Sequence, residues 1–139
     1  DYAGRDGLEY TYEKELRDFF FPGPAGSAAL PEFDLILLGL GDDGHTASLY
    51  PGAAALRERE RWVVACRVEK TRSWRVTLTP RVINAARDVF FLVAGRGKAR
   101  CLKEVLQGPF RPDALPAQGI RPVPGRVVWM VDAEAASLL

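Results

Sequence analysis

The sequence predicts an α/β fold of three layers around a mostly parallel sheet. Short, continuous apolar runs recur that suit strands covered on both faces, and helical segments fall between them. Size supports one domain, because nearly half of the 139 residues are apolar and a chain of this length can bury them in a single core.

The elements follow in order. From Leu8 to Phe21 the segment LEYTYEKELRDFFF sets Leu8, Tyr12, Leu16 and Phe19 on one stripe at helical spacing, predicting an amphipathic helix. A Pro/Gly/Ser-rich connector, PGPAGSAALP, ends it. Phe33–Leu40 (FDLILLGL) and Asp88–Ala94 (DVFFLVA) read as buried strands, and Arg61–Val68 and Trp74–Thr79 as strands rich in β-branched and aromatic residues. Pro80 can open a helix through Ala86, and Lys98–Gln107 predicts another that stops at Gly108-Pro109. Arg126–Val131 is the last strand, with Asp132 placed to cap AEAASLL.

Composition excludes several classes. Nineteen Lys and Arg against 18 Asp and Glu give no field of one sign, so neither nucleic acid nor an anionic membrane is expected as a partner. No apolar run approaches the roughly 20 residues of a membrane span, and a soluble protein is expected. Cys66 and Cys101 lack metal or CxxC spacing, which predicts two reduced thiols and a reducing, cytoplasmic compartment. The chain starts at Asp1 rather than Met, which reads as the loss of preceding residues.

Chemistry concentrates where apolar strands hand over to helices, because free backbone N–H groups are presented there. The first such junction reads GLGDDGHTAS over residues 39–48 and holds His45, the single histidine of the chain. Glycines 39, 41 and 44 permit close backbone approach to a ligand, His45 is the available general base, and Asp43 can orient its ring or contact a substrate hydroxyl. The competing reading is a capped helix start, with Asp42 or Asp43 as the cap and His45 at the surface. Ser48 lies in no GxSxG elbow, and Ser27, Ser73 and Ser137 have no second histidine, which disfavours a serine triad.

The second junction, Gly95-Arg96-Gly97-Lys98 before a helix, suits a phosphate, although GRGK lacks the spacing of a nucleotide-binding P-loop. A solvated basic turn is the alternative. Arg72 and Arg75 open the strand WRVTLT, whose alternation sets Arg75, Thr77 and Thr79 on one face. Either arginine can reach a phosphate, or the strand is an edge with a polar face. Asn84 is left undecided between a surface and a buried amide.

The segment GLGDDGHTASLYPG resembles the 6-phosphogluconolactonase motif, in which a strand ends in G-x-G-x-DGHTAS followed by an aromatic residue and Pro. WRVTLT, VINAAR, FFLVAGRGKA, LPAQ and GRVVWMVDAEAA resemble further segments of that family in the same order, from Phe33 to the C-terminus. The related glucosamine-6-phosphate deaminases continue DGHIAFNEP, from which Thr46, Ala47, Ser48, Leu49 and Tyr50 depart.

The resemblance implies a Rossmann-like α/β/α sandwich similar to the deaminase and ribose-5-phosphate isomerase group. It also implies hydrolysis of 6-phosphogluconolactone without metal or organic cofactor. It gives His45 as the catalytic histidine and Asp43 as the acid of the same motif, with Lys98 and Arg75 holding the sugar phosphate. Gly41 and Gly44 are expected to lie against the substrate, their backbone N–H groups stabilising an oxyanion.

Two departures stand out. Thr79-Pro80-Arg81 replaces the family's usual TLTLP, and residues 1–139 correspond only to the C-terminal portion of the family's single domain. The N-terminal half, with its Gly-Gly-Ser phosphate loop and Asp-Glu-Arg segment, is expected from elsewhere, either the missing part of the protein or a second chain. A deaminase or isomerase acting on an amino-sugar phosphate, and a non-catalytic sugar-phosphate-binding module, are the rival readings.

Overall fold

In the computed structural model, residues 7–23, 29–68 and 72–139 are described. Parts of two expected segments, residues 24–28 of the connector with Ser27 and residues 69–71 of the turn before Arg72, lie outside them.

Three continuous apolar runs form one parallel sheet. Strand β1 (Leu35–Leu38) pairs with β4 (Asp88–Val93), which pairs with β5 (Arg126–Val131). Between β1 and β4 in the chain, β2 (Val63–Val68) and β3 (Ser73–Leu78) form a separate antiparallel hairpin. Helix α1 (Leu8–Phe20) precedes β1, the single turn α2 (Pro80–Ile83) follows the hairpin, and α3 (Ala99–Gln107) links β4 to β5.

Period-two alternation sends Ile36, Leu38, Val89, Phe91 and Val93 to one face of the sheet, where they are buried with Leu102 and Val105 of α3. Phe91 stacks on Trp129 with ring centroids 3.9 Å apart. The opposite face is half exposed: among the described residues Leu35, Leu37, Leu92 and Met130 remain 49, 58, 49 and 53% exposed. Strand β1 was expected to be covered on both faces; it is shorter than that reading and covered on one.

Helix α1 forms where its periodicity predicts but turns a different face inward. Of the expected stripe only Leu16 is buried, whereas Leu8, Tyr12 and Phe19 are exposed. The buried side is Glu9, Glu13 and Leu16, also a helical spacing. The cause is polar: Glu13 Oε2 accepts from the backbone N–H groups of Trp62 and Val63 at 3.0 and 3.1 Å, while Arg17 donates to Oε1 at 2.8 Å. The carboxylate thus satisfies N–H groups at the start of β2, which would be costly to bury unpaired. Leu16, Trp62, Val63 and Val82 form a second, smaller core beneath it.

Burial pushes the Glu13 carboxyl up, but the hydrogen bonds from Arg17, Val63, Trp62 and Arg61 outweigh it and hold the group below the ordinary carboxylate value. A depressed native pKa contributes stability that is present above the unfolded-state value and lost as pH falls through the native one. Glu13→Ala is expected to cost about 3 kcal/mol in denaturant unfolding, because it strands two backbone donors and two guanidinium groups. Glu13→Gln should flatten the acid limb of the stability curve. An unchanged denaturation midpoint in Glu13→Ala would exclude this role.

Candidate active site

Strand β1 ends at Leu38, and the chain enters a loop of tight turns rather than the helix expected at His45. The loop satisfies its own backbone. Gly41 N–H donates to His45 O at 2.8 Å, Gly44 N–H to Gly41 O at 3.1 Å and Leu49 N–H to Thr46 O at 2.8 Å, while the Thr46 hydroxyl donates back to Gly39 O at 2.8 Å. Two outside contacts fix it further: Ala117 N–H donates to Gly44 O at 3.0 Å, and Gly52 N–H to Asp113 O at 2.8 Å. Within the loop Ala47 adopts φ 49°, a left-handed conformation that costs a non-glycine residue about 1 kcal/mol. Such strain persists where surrounding bonds over-determine the backbone.

The two glycines act sterically here. A Cβ on Gly41 would lie 2.0 Å from His45 Nδ1 and 2.2 Å from its Cε1, so the imidazole occupies space that any side chain at 41 would fill. Gly44 has φ +82°, and a Cβ there would lie 2.6 Å from a Leu115 methyl, so only glycine fits without strain. The N–H groups of Gly41 and Gly44, expected to face an oxyanion, are engaged inside the loop. Those of His45 and Ser48 are also taken, by Asp43 Oδ1 and Thr77 Oγ1 at 3.1 and 3.2 Å.

His45 Nδ1 lies 2.6 Å from Asp43 Oδ1. Burial pushes the Asp43 carboxyl up, but hydrogen bonds from the His45 ring and backbone N–H, and attraction to His45, bring it below its ordinary value. An ionised carboxylate only accepts, so Nδ1 carries the hydrogen, and the neutral form of the ring has its lone pair on Nε2, the atom that can act as a base. Its ring is 28% exposed and packs against the Tyr50 ring with centroids 4.4 Å apart.

A cavity of about 600 Å³ opens beside this pair, lined by His45, Thr46, Ala47, Ser48, Thr77 and Lys98, by the edge of β1, and by Tyr12 of α1. Two residues singled out in the sequence, His45 and Lys98, meet here from different strand ends. Lys98 pairs with the Asp42 carboxylate. At the glycine-rich junction before α3, Gly95 N–H donates to Asp132 Oδ2 at 2.9 Å and Arg96 N–H to Glu134 Oε2 at 3.4 Å. These carboxylates of the C-terminal segment hold two of the N–H groups that a phosphate was expected to take, and Lys98 N–H donates to Gly95 O at 3.0 Å, while Lys98 lines the cavity. Asp132 Oδ1 also accepts from Ala135 N–H at 2.7 Å, the expected cap, although turns rather than a regular helix follow.

Arg75 is exposed opposite Cys66 in the hairpin, on the face that carries Thr77 but outside the cavity lining. Arg72 is exposed at the hairpin turn. Asn84 proves structural: its amide donates to Gly119 O at 3.0 Å and accepts from Arg121 N–H at 2.7 Å. Both thiols brace the loop, Cys66 donating to Ser48 O at 3.3 Å and Cys101 to Gly41 O at 3.4 Å. Burial raises both above the ordinary cysteine value, which suits unreactive thiols.

Tyr12, Tyr50 and Asp42 escaped the reading of the sequence as site residues. The aromatic followed by Pro in SLYPG was the available sign for Tyr50. Tyr12 and Asp42 depend on the approach of α1 and α3 to the loop, for which no local pattern exists.

Comparison with known proteins identifies the chain's family. The family model described as "Glucosamine-6-phosphate isomerases/6-phosphogluconolactonase" matches residues 5–129. The 6-phosphogluconolactonase of Synechocystis sp. is 43% identical over 93% of this chain and 51% of its own length, and that of Homo sapiens is 43% identical over 92% and 48%. The chain thus spans about half the length of these relatives. Among solved structures, 6-phosphogluconolactonase from Trypanosoma cruzi superposes with a TM-score of 0.81 at 34% identity, covering 100% of this chain and 55% of that one. A monomeric glucosamine-6-phosphate deaminase shares the fold, with a TM-score of 0.71 at 22% identity over 100% of this chain and 57% of its own. The chain belongs to the glucosamine-6-phosphate isomerase/6-phosphogluconolactonase family.

Proposed function

We propose that this chain carries the catalytic base of an enzyme that hydrolyses 6-phosphogluconolactone to 6-phosphogluconate in the oxidative pentose phosphate pathway. The observation that carries the reading is the Asp43–His45 pair at 2.6 Å beside a cavity that also receives Lys98. His45 Nε2 removes a proton from water as its oxygen attacks the lactone carbonyl. The tetrahedral adduct expels the ring oxygen, which takes the proton back from the imidazolium, so lactone and water become a hydroxy acid. No covalent intermediate is required. Asp43 keeps the ring in the productive tautomer throughout.

Lys98 holds the phosphate, exchanging its pairing with Asp42 for the dianion, and Arg75 adds positive charge from the hairpin. Anchoring the phosphate orients the distant ester, so binding energy is used at the reacting carbon. Residues 1–139 act in this reading as the C-terminal portion of a single domain. Two thiols inside the fold suit a reducing, cytoplasmic setting.

The test is loss of 6-phosphogluconolactone above its spontaneous hydrolysis, measured on the whole enzyme beside ammonia release from glucosamine 6-phosphate. Acceleration of the first without the second is expected; ammonia release or mere binding would overturn the reading. In the same enzyme Lys98→Ala should weaken 6-phosphogluconate binding about tenfold by calorimetry with an unchanged Tm, the scale of one charge-assisted hydrogen bond. Equal affinity would remove Lys98 from the phosphate site.

A further inference from the structure

We infer that Tyr50 is a positioning residue for His45, fixing the plane of the imidazole in the lactone hydrolysis proposed above, a role that rests on that reading. The hydrogen bond from Nδ1 to Asp43 fixes one point on the ring but leaves it free to pivot about that bond, because the terminal torsion of histidine has a broad minimum. General-base catalysis needs a narrower range, since Nε2 must align with a water attacking the carbonyl. Two neighbours restrict the pivot. Gly41 lies so close to the Nδ1–Cε1 side that the ring fits only because no Cβ is there. The Tyr50 ring covers a face, with centroids 4.4 Å apart and planes 30° apart.

Tyr50 is itself held. Leu49 before it is fully buried, Pro51 after it disfavours helical backbone at Tyr50, and the Tyr50 carbonyl accepts from Ala53 N–H at 3.1 Å. Its ring therefore serves as a fixed wall rather than a mobile lid. The π-face also favours the imidazolium formed when His45 has taken the proton from water, because a cation is attracted to the negative face of an aromatic ring.

The test compares Tyr50→Leu and Tyr50→Phe in the whole enzyme. Tyr50→Leu, apolar but smaller and without a π-face, should lower kcat about tenfold while KM stays within about twofold. Tyr50→Phe should restore kcat, since the contact is made by the ring. Imidazole NMR signals assigned to His45 by their disappearance in His45→Ala should lose their ring-current shift in Tyr50→Leu and keep it in Tyr50→Phe. Tyr50→Met, equally non-aromatic and more pliable, replaces the leucine variant if that one does not fold.

An unchanged kcat in a folded non-aromatic variant would overturn the inference, as would a Phe variant no better than Leu. Failure of the lactonase reading looks different: the whole enzyme with Tyr50 intact would then not accelerate lactone loss, or His45→Ala would keep the wild-type rate, whatever Tyr50 variants do to the imidazole signals.

Discussion

His45→Ala in the whole enzyme is expected to lower 6-phosphogluconolactone hydrolysis by about 10² to 10⁴, the usual contribution of a positioned general base, while 6-phosphogluconate still binds. The two effects are expected to separate because Lys98, the residue proposed to hold the phosphate, reaches the cavity from the end of β4, whereas His45 comes from the end of β1. The loss should fall on kcat rather than KM. Asp43→Asn probes the same pair by a different route. Its amide can present an N–H to Nδ1, which would move the ring hydrogen to Nε2 and abolish the base with little change of shape. Both variants should therefore keep a wild-type Tm. Hydrolysis near the wild-type rate in His45→Ala would remove the histidine from the mechanism. A normal rate in Asp43→Asn would show that the 2.6 Å contact does not set the tautomer.

Legibility in the sequence followed the range of the interactions involved. Strands β1, β4 and β5 were readable because a buried parallel strand needs a continuous apolar run, and few other elements of four to six residues do. The same reasoning could not tell that, among the described residues, β2 and β3 pair only with each other, since the pairing partner of a strand is not a local property. Helix α1 was located by its period but rotated wrongly. Counting apolar residues chose Leu8, Tyr12, Leu16 and Phe19, whereas the packed face includes Glu13, whose carboxylate is used on N–H groups 49 and 50 residues away. Hydrophobic periodicity is blind to a buried acid whose partners lie that far along the chain.

The candidate site divides in the same way. His45 and Asp43 are two residues apart, so their contact was legible. Lys98 was identified as a cation at a strand-to-helix junction, yet the N–H groups beside it are engaged by Asp132 and Glu134, which a reading of GRGK alone cannot anticipate. Gly41 and Gly44 were marked as places where the backbone approaches a ligand; what approaches them here is His45 and Leu115.

These 139 residues alone in solution are expected to self-associate and to show little lactonase activity. Register aligns Leu37 with Phe90 and Val128, and Leu92 with Met130, so the exposed residues of the three strands form one continuous apolar surface. Covering the remaining half of Leu35, Leu37, Leu92 and Met130 would contribute about 1 kcal/mol each. A face-to-face pair covers both copies, about 8 kcal/mol in all, against an association cost of about 4–15 kcal/mol, so this surface alone supports only weak association. Strand β1 adds to this, because among the described residues it pairs only with β4 and so offers an edge for another strand. A protein as long as the relatives has about as much chain again to lay on this surface and to complete the cavity that runs along β1.

Light scattering over a concentration series should show growing particles. Leu37→Lys with Met130→Lys should suppress that growth without restoring hydrolysis. Supplying the other half of a relative's length is expected to do both, by covering the face and adding to the substrate site. A monodisperse 139-residue monomer with full activity would show that the half-exposed face is tolerated by water and that His45, Asp43, Lys98 and Arg75 suffice for substrate on their own.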